Sequence, residues 1–223
     1  LRLNPGPMHY STEQLVIFFA FLPILLAAVT GAFRFKKLDI TLKILACLVF
    51  FAFAIESLSR IFWLYKTSNL FLWPIYITVE FALLLWMFSR ELDVKVLTQA
   101  RVWIIAVFSG YMIYKTIQVS DEGVMIDNSG RLIESVILLL LIMIYYVKLY
   151  KSQPSGKLWS IPMFSISTGL LLCFSGNFLI FLFINFMLKY SQKLNYQVWM
   201  IHALLNGLLY LTYTYALWKP RAN

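Results

Sequence analysis

Apolar residues in this chain neither alternate nor mark a single helical stripe; they come in long uninterrupted runs. Seven stretches of spanning length follow one another, at approximately 12–33, 40–63, 69–89, 102–119, 131–150, 160–188 and 196–218. About 20 mainly apolar residues in a helix cross the hydrocarbon core of a bilayer. Between the runs the chain is polar and turn-forming, as in "SDEG" (120–123), "DNSG" (127–130) and "SQPSG" (152–156). The pattern predicts an all-α, polytopic transmembrane bundle of seven helices forming one domain over 12–218. A segment at 1–11 precedes it and a short tail, 219–223, follows. Pro23, Pro74 and Pro162 fall within or near spans, where a kink is expected.

Composition removes the soluble alternative. The 223 residues are 61% hydrophobic and only 13% charged, against about 25% charged in soluble domains. No short apolar region with a small-residue cleavage site precedes the first run, so no cleavable signal peptide is expected. Residues 1–7, "LRLNPGP", precede Met8, a candidate native start, and carry no functional weight. Cys47 and Cys173 lie in apolar runs and read as small buried hydrophobes, not as a disulfide or a metal pair.

The charges set an orientation, because basic residues favour the cytoplasmic side. One set of loops and span ends holds Arg34, Lys36, Lys37, Lys43, Arg90, Lys95, Arg101, Lys148, Lys151, Lys157, Lys219 and Arg221. The other holds Arg2, Arg60, Lys66, Lys115, Arg131, Lys189 and Lys193. Twelve against seven places the N-terminus and the 1–11 segment outside, with the C-terminus and tail 219–223 in the cytoplasm. The net charge of +9 is spread in ones to threes over every loop. It therefore reads as topology signal and lipid-headgroup contact, and nucleic acid is excluded as a partner. Trp63, Trp73, Trp103, Trp159, Trp199 and Trp218 near span ends suit an interfacial belt.

Candidate chemistry rests on polar groups inside the spans, where a charge costs roughly 2.5–3.5 kcal/mol on insertion scales. Glu56, Glu80, Glu134 and His202 stand out, with Asn177, Asn185 and Asn206 beside them. With a rise of about 1.5 Å per residue, all lie in the outer half or at the midplane. An outward-opening polar cavity is the economical expectation, with Glu80 and His202 at its core and Glu56, Asn177, Asn206, Tyr76 and Glu134 supporting. Trp199, His202, Asn206, Tyr210 and Tyr213 share a stripe about 80° wide, and Trp73, Tyr76 and Glu80 share another. Glu56 and Arg60 form an i,i+4 pair. The same residues also suit plain helix-to-helix bonding, the role expected of Asn185, Ser167 and Thr168. Glu134, in the first turn of its span, could serve only its helix N-terminus. For His202 a carboxylate partner, Glu80 or Glu56, is the open question.

Several chemistries fail on residue content. No lysine lies midway along the last span, as a retinal protein requires. One intramembrane histidine without an aspartate is too little for a ceramidase-type metal hydrolase. A zinc site from Glu56, Glu80 and His202 has no ligand pair at metal-site spacing. A Ser175–His202 dyad lacks the glycine that rhomboid-type proteases place two residues before the serine; here that position is Cys173. The proline–glutamine pairs of the relatives of small sugar transporters are absent.

The order of features resembles an uncharacterised family of bacterial seven-helix membrane proteins. The resemblance runs through "FLPILLAAVTGAFRFKKL" (21–38), "IESLSRIFW" (55–63), "LWPIYITVEFALL" (72–84), "FSGNFLIFLFIN" (174–185) and "VWMIHALLNGLLYLTYTYALW" (198–218). It implies the seven-helix architecture, a place in the bacterial inner membrane, and recurrence of Glu80, His202 and Asn206, but no activity. The expected function is a sensory or receptor-like module that binds a small ligand from outside, or senses protonation, and signals to a membrane or cytoplasmic partner. A small or proton-coupled transporter and a structural subunit of a membrane complex are the alternatives, and an enzyme ranks last. No catalytic residue, cofactor or metal is expected.

Overall fold

The computed structural model describes residues 19–119, 128–153, 157–188 and 192–219. Seven helices follow one another within them: α1 (Phe21–Arg34), α2 (Ile40–Leu64), α3 (Leu72–Leu92), α4 (Lys95–Val119), α5 (Ser129–Ser152), α6 (Pro162–Leu188) and α7 (Gln192–Trp218). Short 3-10 turns at Phe35–Lys37 and Leu158–Ser160 join them, and no strand occurs among the described residues. Five helices, α2 to α6, are long and apolar enough to cross a membrane. The segment 1–11, residues 12–18 of the first expected span, the acidic residues Asp121, Glu122 and Asp127, and tail residues 220–223 lie outside the described residues, as do the side chains of Trp63, Asn185 and Lys193.

Local chemistry explains several helix ends. Asp39 precedes α2 and its Oδ1 accepts the Leu42 N–H at 3.0 Å, capping an N–H that lacks a helical partner. Asp93 and Gln153, just past α3 and α5, adopt left-handed conformations (φ 52° and 39°) that end those helices. Pro162 opens α6, and Pro23 and Pro74 are the third residues of α1 and α3. Pro74 and Pro162 thus occupy first turns, where a missing N–H breaks no helical bond, and the kinks expected there are corrected to helix starts; Pro23 follows a turn at Ala20 that separates α1 from helical Phe19. α4 begins at Lys95, seven residues before its expected span at 102, because helix can continue beyond the lipid-soluble run.

The packing order is not the sequence order. α1 packs on α2 and α7, α2 on α3, α3 on α5, α5 on α6, and α6 on α7. These six close into a ring, while α4 stands outside against α3. Only 11% of the apolar window of α4 is buried, against 50% for α3. The interior is lined by Phe81, Leu84 and Phe88 of α3, Leu138 and Ile142 of α5, Phe174 of α6 and Tyr213 of α7. In lipid, close packing and polar contacts, not apolar burial, hold helices together, and small residues permit the approach. On α6, a Cβ at Gly176 would lie 2.6 Å from Leu205 Cδ1, and one at Gly169 would strike the side chain of Thr212. Gly169 thus faces Thr212, Cys173 faces Asn206 and Asn177 faces His202, which fixes an antiparallel α6–α7 register. Lys148 of α5 donates to the carbonyls of Glu91 (2.7 Å) and Leu92 (3.0 Å), satisfying the open C-terminus of α3.

Candidate functional site

Two polar clusters lie inside the helix ring. The first joins α3 to α5. Glu80 is 2% exposed, Arg131 2% and Glu134 0%. Arg131 and Glu134 are three residues apart on α5, so both point to the same side, toward α3. Arg131 Nη1 donates to Oε2 of Glu134 at 2.6 Å and to Oε2 of Glu80. One guanidinium nitrogen thus serves two carboxyls. The Tyr76 hydroxyl donates to Glu80 Oε1 (3.1 Å) and lies 3.3 Å from the Tyr210 hydroxyl, which extends the cluster to α7. The Arg131 guanidinium also sits over the Phe174 ring, 4.9 Å from its centroid. Among the described residues, Glu134 Oε1 and Arg131 Nε have no hydrogen-bond partner.

The second cluster joins α6 to α7. His202 Nδ1 lies 2.8 Å from Asn177 Oδ1, and Asn206 Nδ2 lies 2.9 Å from His202 Nε2. An amide oxygen only accepts and an amide nitrogen only donates, so the imidazole is neutral with its proton on Nδ1. Asn177 Nδ2 donates to Cys173 Sγ at 3.2 Å, and Cys173 Sγ donates to Asn206 Oδ1 at 3.4 Å. Four side chains therefore form a closed hydrogen-bond ring with all donors running one way round. Such a ring polarises each member in the favourable sense.

At one end of the bundle an aromatic layer of Trp73, Phe181 and Trp199 lies next to both clusters. Trp73 and Phe181 ring centroids are 5.6 Å apart, and His202 is 5.4 Å from both Phe181 and Trp199. A crevice of ≈ 450 Å³ lies elsewhere, on the flank between α4 and α5, with Trp103, Val107, Phe108, Tyr111, Ile133 and Ile137 among its lining. It is apolar and contains none of the expected site residues.

The structure sorts the sequence candidates into three groups. Glu80, Glu134 and Tyr76 meet at Arg131. His202, Asn177 and Asn206 meet at Cys173. Glu56 joins neither; its Oε2 pairs with Arg60 at 3.7 Å, with its side chain 43% exposed. The imidazole finds amides, not the carboxylate considered for it, because the α6–α7 register places Asn177 opposite His202. Glu56, Glu80 and His202 do not gather as a zinc site would need, and no such group of three occurs among the described residues. Ser175 is exposed and donates to Leu172 O at 3.3 Å, so it makes no dyad with His202. Cys47 is exposed on the bundle flank, contrary to the expected burial, while Cys173 is buried but serves as a hydrogen-bonding link.

Two members of these clusters are not singled out by the sequence. Arg131 sits at a span end and was counted as a topology charge; the i,i+3 spacing to Glu134 was the available signal. Cys173 counted as a hydrophobe, although Cys173–Asn177 and His202–Asn206 are matching i,i+4 pairs. No family model matches the chain, and no curated protein or solved structure does. Fold and site together define a class: an all-helical, membrane-embedded protein with a charged centre inside its helix ring.

Proposed function

We propose that this chain is a seven-span protein of the bacterial cytoplasmic membrane that works as a sensory or receptor-like module. The seven-span reading is supported by the closed ring, in which α1 and α7 sit between the apolar helices α2 and α6. The orientation, N-terminus outside and C-terminus cytoplasmic, is supported by the charges once Arg131 is recognised as interior. Twelve basic residues then face six. The responsive element is the Glu80–Arg131–Glu134 centre, placed to react to a small ligand or a proton. Tyr76 and Tyr210 carry the change to α7, and from there it passes to a membrane or cytoplasmic partner.

One observation carries this reading: a charged centre costing several kcal/mol per buried ion lies where plain apolar packing would hold the helices equally well. Its test is unfolding of the purified protein in nanodiscs over a range of pH and with candidate small solutes. A shift in midpoint that disappears in Glu134→Gln is the expected outcome. No shift under any condition, together with unaltered cells carrying the substitution, would end the reading.

A second reading, a proton-coupled transporter, draws on Ser165, Ser167 and Tyr213. Their buried hydroxyls have no hydrogen-bond partner among the described residues and lie toward the other end of α6 and α7 from the aromatic layer. Uptake into proteoliposomes distinguishes the two, since a sensor moves no solute.

A further inference from the structure

The charge count of the α3–α5 centre is uneven. Two carboxyl groups face one guanidinium, which leaves one negative charge in excess when all three are ionised. The three side chains are at most 3% exposed, so water cannot screen that excess. A buried uncompensated charge is costly enough that a compensating cation is the expected resident.

The hydrogen-bond inventory identifies which cation fits. Both Oε2 atoms are engaged by Arg131, and Glu80 Oε1 accepts the Tyr76 hydroxyl. Only Glu134 Oε1 remains without a partner among the described residues. Hard metal cations require about six or more oxygen ligands at once. One oxygen beside a guanidinium does not provide them, whereas a proton needs a single lone pair.

The surrounding groups offer no competing acceptor. Tyr76 faces the pair from α3. Cys173 of α6 and Tyr210, Tyr213 and His202 of α7 lie within electrostatic reach of it. Tyr111 of α4 bonds to Ser129 on α5, at 2.6 Å. Both nitrogens of His202 and the Cys173 sulfur are already held in the α6–α7 ring.

We propose that the Glu80–Arg131–Glu134 centre is a binding site for a single proton, taken up at Glu134 Oε1. This rests on the reading of the centre as the responsive element and names its ligand. The proton comes from hydronium in the adjoining water phase, forms one O–H bond, and returns to water on release. While it is bound, Arg131 answers one anion instead of two. Glu80 then keeps Arg131 and Tyr76 together, and Tyr76 passes the change to Tyr210 on α7.

Infrared spectroscopy of the full chain in lipid tests this directly. The wild type at neutral pH is expected to show one carboxylic-acid C=O band that shifts in heavy water and with ¹³C-glutamate labelling. Because the excess negative charge needs both carboxyls, the band is expected to vanish in Glu134→Gln and equally in Glu80→Gln, each leaving one acid for one arginine. Absence of the band in the wild type, or its survival in either variant, overturns the proposal. The wild-type spectrum decides even where a variant folds poorly. A band with no pH- or ligand-dependent shift in unfolding keeps the proton site and removes the sensory reading. A shift without the band does the reverse.

Discussion

The two polar clusters in the helix ring are built on opposite principles. Between α6 and α7, His202, Asn177, Cys173 and Asn206 use their hydrogen-bonding atoms on one another in a closed ring. Between α3 and α5, one carboxyl oxygen, Glu134 Oε1, and one guanidinium nitrogen, Arg131 Nε, have no hydrogen-bond partner among the described residues. A closed neutral ring, in which each member donates once and accepts once, holds two helices in register. An unsaturated centre with uneven charge can change state. On the proposed reading the histidine, which draws attention in the sequence, serves the scaffold, and the arginine, which does not, serves the responsive part.

The largest expected effect comes from removing the arginine. Arg131→Met leaves two buried carboxyls facing each other, and breaking a buried ion pair from one side costs about 3–5 kcal/mol. Adding Glu80→Gln and Glu134→Gln should recover most of that loss, because neutral, similarly shaped groups then fill the site. Denaturant unfolding in mixed micelles measures both steps. A neutral Arg131→Met would show that the α3–α5 centre is not assembled as described, and the contrast between the clusters would collapse.

The ring should respond less. His202→Ala removes one neutral hydrogen bond each from Asn177 Oδ1 and Asn206 Nδ2, at about 0.5–1.5 kcal/mol apiece. Cys173→Ser keeps a donor and an acceptor in place and should be near neutral, whereas Cys173→Val should lose about 1 kcal/mol. Equal effects of serine and valine would mean that the sulfur packs and does not bond. None of these changes should alter the pH dependence set by Glu134, which separates the clusters by readout as well as by size.

How much of this was legible beforehand follows from what lipid does to a sequence. Seven apolar runs map onto seven helices, five of them long and apolar enough to cross a membrane, because a spanning helix must be apolar along its length. The same requirement hides the packing: when outward faces and core faces are both apolar, periodicity does not say which helix meets which. The ring order, and the exclusion of α4 from it, could not be read from 102–119. Arg131 was hidden for a related reason, since a basic residue in the first turn of a span ordinarily serves the interface. Glu80 and the His202–Asn206 pair were legible because polar groups at the midplane have few ordinary explanations. Their partners were not, since partnership depends on the register set by Gly169 and Gly176.

That register can be tested at the glycines. An added Cβ at Gly169 meets Thr212, including its Cβ at 3.0 Å, and a β-branched side chain on a helix has little freedom to move away. Gly169→Ala should cost about 1–3 kcal/mol by overpacking. At Gly176 the 2.6 Å contact is with the end of Leu205, a side chain that can rotate, so Gly176→Ala should cost less. The reverse order would mean that α6 and α7 meet in another register, and the closed ring would lose its geometric basis.

The smallest expected effect belongs to Glu56, which calibrates the others. It is also an intramembrane glutamate beside an arginine, but the pair sits 3.7 Å apart on one helix with the carboxylate side chain 43% exposed. This pair is not enclosed between helices, so Glu56→Gln should shift unfolding by less than the changes above and leave the carboxylic-acid infrared band intact. The comparison holds residue type constant and changes only enclosure and charge balance. If Glu56→Gln matched Arg131→Met in cost, or removed the band, then enclosure between α3 and α5 would not be what gives Glu80 and Glu134 their role, and the responsive site would have to be sought on α2.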